Sequence, residues 1–281
     1  MFRHAVELEV IKEGAWSESN TNVQDVKPPM LLLHGYPDSP AMYDDVASHF
    51  VSKGRRVARV AWPNCGSKPE IPWGASFDDL LASLVDVAEK IGPADVIAHD
   101  WGAMMAWLLE KKRPELVHSL VAVDVGQEVP KDLKSNALIL AYQIPLLIAF
   151  LLAGKFKGFA DGIVRAVASV FQRPHIRADL TSLKGYWYYY FWHDFLLKKG
   201  KGWTSLLSGK SKRLPTCPTL YIYGAKKFVK FHSEEWLNKM KRRQDCKVVK
   251  MEHTGHWVFN EDPQGFLQHV DAFYEAVDRS E

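Results

Sequence analysis

Val96-Ile97-Ala98-His99-Asp100-Trp101-Gly102-Ala103 is the stretch whose reading decides the fold. An apolar run ends at His99, and a helix-forming run from Gly102 to Lys112 follows at once. A chain that passes from strand to helix within two residues must bend sharply. Ala98 and Gly102, two before and two after Asp100, are the small residues such a bend requires. The bend would raise one side chain clear of the strand end, and here that side chain is a carboxylate. Read alone, Asp100 could equally cap the following helix, so the rest of the chain has to decide.

Outward from this bend, strand-like and helix-like segments alternate. Strands are expected at Ala5 to Ile11, Met30 to Leu33, Val57 to Ala61, Asp95 to His99, Ser119 to Asp124, Thr219 to Tyr223 and Lys247 to Met251. Most are short Val/Ile/Leu-rich runs, as in strands covered on both faces. Helices are expected at Met42 to Ser52, Phe77 to Ile91, Gly102 to Lys112, Glu234 to Arg243 and Gln264 to Val277. Ser76 is placed to cap the second of these. The alternation predicts an α/β chain with a mostly parallel central sheet and helices on both faces. It breaks after Asp124: residues 127–214 read as helical, aromatic and lysine-rich. They are expected to form an inserted helical cap, with 1–126 and 215–281 forming the core.

Two further motifs stand at strand ends. Leu33-His34-Gly35-Tyr36-Pro37 closes the second strand, and its loop can offer a backbone N–H from Tyr36 beside that of Trp101, an oxyanion hole in which both donors face developing negative charge. Late in the chain, Glu252-His253-Thr254-Gly255-His256-Trp257 precedes Glu261-Asp262-Pro263. His256 is expected to be the base that activates water, because Gly255 permits the loop that presents it; His253 is the competing imidazole. For the carboxylate that orients this base, the loop Tyr223 to Phe228 holds Lys226 and Lys227 and no acid. Asp124, at the end of the strand after the Asp100 helix, is expected instead, with Glu128 as the alternative.

A carboxylate where ester hydrolases carry serine changes the accessible chemistry. Serine attacking an sp³ carbon would leave an ether, which water does not readily cleave; a carboxylate leaves an ester, which activated water can hydrolyse. Displacement at alkyl carbon follows, either epoxide opening or halide loss.

Taken together, HGYP, HDWGA and GHW…EDP, in this order and with an insertion after Asp124, resemble the epoxide hydrolase and haloalkane dehalogenase branch of the α/β-hydrolase superfamily. The resemblance implies the α/β-hydrolase fold and a covalent ester on Asp100. It covers nearly the whole chain and is specific in the core and weak in the cap. Dehalogenases of this branch typically carry Asn after His-Gly, where this chain has Tyr36, which favours the epoxide reading. Epoxide hydrolases use two cap tyrosines to hold and protonate the epoxide oxygen, and Tyr142 and Tyr188 match those positions best. The loop Trp62 to Ser67 and the lysines at 226 and 227 depart from the family pattern. A third reading is a non-catalytic lipid-binding or scaffold protein on the same fold.

The bulk properties set outer bounds. A net charge of +3 over 281 residues gives no case for nucleic acid. The clusters Lys198 to Arg213 and Lys239 to Arg243 read as a solvated face, or as a patch that meets anionic lipid or an anionic substrate. Three scattered cysteines suggest neither a disulfide framework nor a zinc site. No metal constellation and no nucleotide-binding glycine loop is visible, so no cofactor is expected. The start of the chain lacks the apolar core of a secretion signal, and a cytoplasmic location is expected. The eighteen uncharged residues Ala137 to Gly154 reach the lower limit for a membrane span. They read as a buried cap helix, or as an interfacial anchor that brings the cap to a membrane. The substrate is expected to be small and lipophilic; the oligomeric state is open.

Overall fold

The computed structural model describes residues 7–14, 16, 27–130, 132–170, 180–198, 200–207, 213–227 and 229–279. Seven strands form one sheet: β1 (Glu9–Glu13), β2 (Met30–Leu33), β3 (Val57–Ala61), β4 (Ala94–His99), β5 (Val117–Val123), β6 (Thr219–Gly224) and β7 (Cys246–Met251). Their order is β1-β3-β2-β4-β5-β6-β7. The edge strand β1 runs antiparallel to β3 and every other pairing is parallel. β1 starts later than its sequence pattern suggests, because Glu9 to Glu13 are the residues that find partners on Ala61 to Val57; residues 1–6 lie outside the described residues.

Side chains alternate across each strand, and the two faces carry separate cores. Leu31, Leu33, Val96, Ala98, Leu120 and Ala122 face α2 (Phe77–Ile91) and α3 (Trp101–Lys112). Met30, Leu32, Ile97, Val121 and Val123 face α1 (Asp44–Ser52) and the C-terminal helix. Ser76 caps α2 as its position suggested, its hydroxyl accepting from the Asp79 N–H at 3.2 Å. All three cysteines are buried.

Between β5 and β6 the chain leaves the sheet and forms α4 (Leu133–Val170) and α5 (Tyr186–Leu197). After β6 come α6 (Glu234–Lys241), α7 (Val258–Glu261) and α8 (Pro263–Asp278). Phe156 leaves helical geometry (φ −133°, ψ 49°) and divides α4 into two helical parts. The uncharged run Ala137 to Gly154 belongs to the first part. It is less buried than a cap helix was expected to be: in the most apolar eighteen residues of α4, only 28% are covered. The lysine-rich segments are largely ion-paired where described, Lys198 with Asp78 and Asp194, Arg213 with Glu110, and Arg243 with Asp245.

The register explains how distant motifs meet. Leu33 pairs with Ala98, His99 with Val123, Val123 with Ile222, and Gly224 with Met251. The loops leaving β2, β4, β5, β6 and β7 therefore emerge side by side at the carboxyl edge of the sheet, where open α/β sheets build their sites. The approach is tightest at the bend after β4: a Cβ on Gly102 would lie 2.1 Å from the Leu33 carbonyl oxygen. Gly102→Ala should lower stability by about 2 kcal/mol, as overpacking of a rigid site typically does. Urea unfolding checks this, and a wild-type midpoint would contradict the close approach.

Candidate active site

Asp100 occupies the bend with φ 52° and ψ −122°, a conformation that a residue bearing a Cβ rarely adopts. The strained turn sets its carboxylate at the edge of a cavity, 15% exposed. The two oxygens have different surroundings. Oδ2 accepts the Tyr36 backbone N–H at 2.8 Å, and the neighbouring Trp101 backbone N–H also favours the charged carboxylate. Oδ1 is 3.8 Å from His256 Nε2, beyond direct hydrogen bonding. Gly35 makes the first arrangement feasible, since a Cβ there would stand 2.4 Å from the Asp100 Cβ. Burial raises the Asp100 pKa, against the opposing charge of His256 and the two backbone N–H groups.

His256 follows β7 and is nearly buried. Its Nδ1 is in short contact with Asp124 Oδ2. Asp124, also at positive φ (68°), is fully buried and receives Lys227 Nζ on Oδ1 at 2.5 Å and on its carbonyl at 3.0 Å. Burial would raise the Asp124 pKa, but Lys227 and His256 outweigh it and leave the carboxyl below its ordinary value. Burial opposes a charged imidazole. The Asp124 charge and hydrogen bond, and then Asp100, overcome that and raise the His256 pKa, with Lys227 pulling the other way. Glu128, the alternative acid, turns to Lys239 at 3.6 Å, and His253 sits exposed on the turn.

Lys227 is what the sequence reading missed. It stood out only as a departure, and no local pattern says that its amine reaches back across the sheet edge to Asp124. His99 was missed as well. Its Nε2 meets the His256 carbonyl at 2.9 Å, so that nitrogen must be the donor. Burial holds the His99 imidazole neutral, its pKa down to about 3. The ring thus anchors the histidine loop to the strand that ends in Asp100.

Both expected tyrosines reach the site. Tyr142 and Tyr188 stand edge to face, ring centres 6.1 Å apart, and with Asp100 and His256 they wall a small cavity of about 40 Å³. A larger cavity of about 570 Å³ continues from Asp100, Trp101 and Tyr142 toward α5. The two phenols are held differently. The Trp192 indole N–H, which can only donate, bonds Gln143 Oε1 at 3.0 Å. This fixes the Gln143 amide so that its NH₂ donates to Tyr142 Oη at 3.0 Å. The Tyr142 oxygen accepts there, so its phenolic proton is not consumed. The Trp101 ring packs edge-on against the Tyr188 ring, centres 5.5 Å apart. Burial raises both phenol pKa values, and the Asp100 charge adds to this. Tyr36, through its side chain, packs edge-on against Tyr188 at 5.0 Å. Among the described residues, no group of three His, Cys, Asp or Glu side chains is placed to hold a metal ion.

A sequence profile described as "Alpha/beta hydrolase family" matches residues 30–269. This chain belongs to the alpha/beta hydrolase family. Among similar proteins, epoxide hydrolase 4 of Homo sapiens is 22% identical over 84% of this chain and 69% of its own length. The sn-1-specific diacylglycerol lipase ABHD11 of Mus musculus is 26% identical over 88% of this chain and 80% of its own. Epoxide hydrolase 1 of Caenorhabditis elegans is 36% identical, but the match spans only 36% of this chain and 26% of that protein. Among solved structures, the Bacillus megaterium epoxide hydrolase with an inhibitor superposes with a TM-score of 0.69 at 18% identity, covering 95% of this chain and 96% of the other. A putative epoxide hydrolase from Klebsiella pneumoniae gives 0.67 at 22%, covering 96% and 95%. The similar proteins of this fold thus include both epoxide hydrolases and a lipase.

The Lys227–Asp124–His256 chain makes a measurable prediction for this hydrolase. Removing the cation leaves the Asp124 charge undivided on the imidazole. In Lys227→Met, His256 should therefore titrate at higher pH than in the wild type, while Lys227→Arg should stay close to it. Proton NMR of the imidazole resolves the two. An unchanged Lys227→Met titration would mean that the amine does not act on the histidine.

Proposed function

We propose that this alpha/beta hydrolase opens lipophilic epoxides through a covalent ester on Asp100. The single observation that carries the reading is the divided environment of the Asp100 carboxylate, with Oδ2 accepting the Tyr36 backbone N–H and Oδ1 standing 3.8 Å from His256 Nε2, at a cavity that Tyr142 and Tyr188 also line.

The reaction has two halves. Asp100 Oδ1 attacks one epoxide carbon, the ring C–O bond breaks, and Tyr142 or Tyr188 gives its proton to the departing oxygen. An alkoxide leaves poorly without such a donor. His256 then takes a proton from water, and the hydroxide adds to the Asp100 carboxyl carbon. The Tyr36 and Trp101 N–H groups stabilise the oxyanion that develops on Oδ2. Collapse expels the diol oxygen, which recovers the proton from His256. The Asp100 acid formed in the collapse returns the tyrosine proton, and the sum is epoxide plus water to diol. Asp124 would orient His256 and stabilise its protonated form.

The likeness to a lipase raises ester cleavage as a second reading. Residue 100 argues against it, since direct acyl transfer at this bend uses a serine hydroxyl. Halide loss is less well supported too: residue 36 offers a tyrosine, packed edge-on against Tyr188, in place of a side-chain amide that could hold a halide.

Single-turnover mass spectrometry with a fatty-chain epoxide tests the ester. Asp100→Asn should form no adduct, and His256→Ala should accumulate one on the peptide containing residue 100. In ¹⁸O-water the wild type should place heavy oxygen in Asp100. An unlabelled aspartate in a protein that turns over would rule the ester out. Tyr142→Phe and Tyr188→Phe should each slow adduct formation, and the double variant should lose about 10² to 10⁴-fold, the usual contribution of a positioned acid. If adduct formation in the double variant matches the wild type, the tyrosines are only packing.

A further inference from the structure

The outward face of the first part of α4 is the reverse of what a helix on a protein surface normally presents. Its exposed positions are Ala137, Leu140, Ala141, Ile144, Ile148 and Leu151, and no charged residue occurs between Lys134 and Lys155. The two polar side chains of the run, Tyr142 and Gln143, turn inward to the site. A surface helix ordinarily puts its polar stripe outward, and a contiguous apolar patch of this extent marks a surface that something covers. The run from Ala137 to Gly154 is about 27 Å long at 1.5 Å per residue.

What covers it can be argued from three features. Exposed lysines stand at both ends, Lys134 before the run and Lys155 and Lys157 after it, an arrangement in which long cationic side chains reach headgroups while the stem lies against acyl chains. Next, the large cavity that starts at Asp100 is bordered at its far side by Ile139 of α4, exposed Val129 and exposed Phe195 of α5. Leu196 and Leu197 are exposed beside Phe195, so the apolar surface continues around this opening. A protein partner seated there would close the cavity, whereas a lipid surface would feed it. Last, the inward face of α4 is tied to the rest of the fold by buried Leu146, Ala149, Phe150 and Ala153, so the helix can lie on a bilayer but cannot cross one without leaving the sheet.

We propose that the outer face of α4, with Phe195 to Leu197, docks on the surface of a lipid bilayer, preferring anionic headgroups, and that the large cavity opens onto that surface. The docking does not depend on the reaction proposed for Asp100; only the use of the opening by a lipophilic substrate rests on it.

Vesicle co-sedimentation of the full chain tests this, with phosphatidylcholine vesicles and with vesicles containing about one-third phosphatidylserine. The wild type should pellet with vesicles, and more strongly with the anionic ones. The variant Ile144→Gln/Ile148→Gln/Leu151→Gln, all exposed positions, should lose about tenfold or more in partitioning with an unchanged circular dichroism spectrum, as expected for buried aliphatic side chains removed from the interface. Lys134→Glu/Lys155→Glu should lose only the anionic preference. Asp100→Asn should bind as the wild type does, which separates failure of docking from failure of the chemistry. Wild-type protein left in the supernatant with both vesicles would overturn the proposal. So would a triple variant that pellets like the wild type, or a dimer in light scattering that the triple variant dissociates without vesicle binding.

Discussion

A residue with a full side chain is held at φ 52° where β4 becomes α3, and the site is assembled around that strained bend. The conformation costs on the order of 1–3 kcal/mol and persists only because its surroundings over-determine it. Gly102 lets α3 start against the Leu33 carbonyl, and Gly35 lets the β2 loop close over the Asp100 carboxylate. The same closure directs the Tyr36 N–H onto Oδ2. One backbone constraint thus gives the carboxylate both its presentation and its asymmetry.

Charge is handled by the same economy. Asp124 is buried, and it is shared between Lys227 and His256. A buried carboxylate is costly unless both oxygens are satisfied. Oδ1 takes the Gly224 N–H at 3.2 Å and the Lys227 amine, the latter from the very loop where the family pattern leads one to look for an acid. His99 completes the frame as a neutral ring donating to the His256 carbonyl.

Much of this was legible in the amino-acid pattern, for a physical reason. The bend, the His-Gly loop and the Gly-His loop each need particular small residues in particular backbone conformations, and such needs leave a local signature. Asp100, Asp124 and His256 could therefore be named before any distance was known, and parallel register brought them together. Lys227 could not be placed, because its contact joins adjacent strand ends that are 103 residues apart in sequence. Nor could the donor to the Tyr142 phenol, since a glutamine amide has no sequence signature for what it bonds. The exposure of α4 was hidden for another reason: an uncharged run looks the same whether its outer side is covered or bare. The displaced start of β1 reflects a choice of partner on β3, which alternation alone does not specify.

The burial of the three cysteines has a consequence of its own. Burial pushes the Cys217 thiol up to about 12 and Cys246 up to about 11, so neither offers appreciable thiolate at neutral pH, and the thiolate is the form that attacks carbon electrophiles. A strained three-membered ether is an alkylating agent toward any accessible sulfur. Under the epoxide chemistry proposed above, a protein whose Cys217 and Cys246 stay protonated and buried would leave the electrophile to an oxygen from which water can release it. It would thereby be spared permanent self-modification at those sulfurs over repeated turnovers.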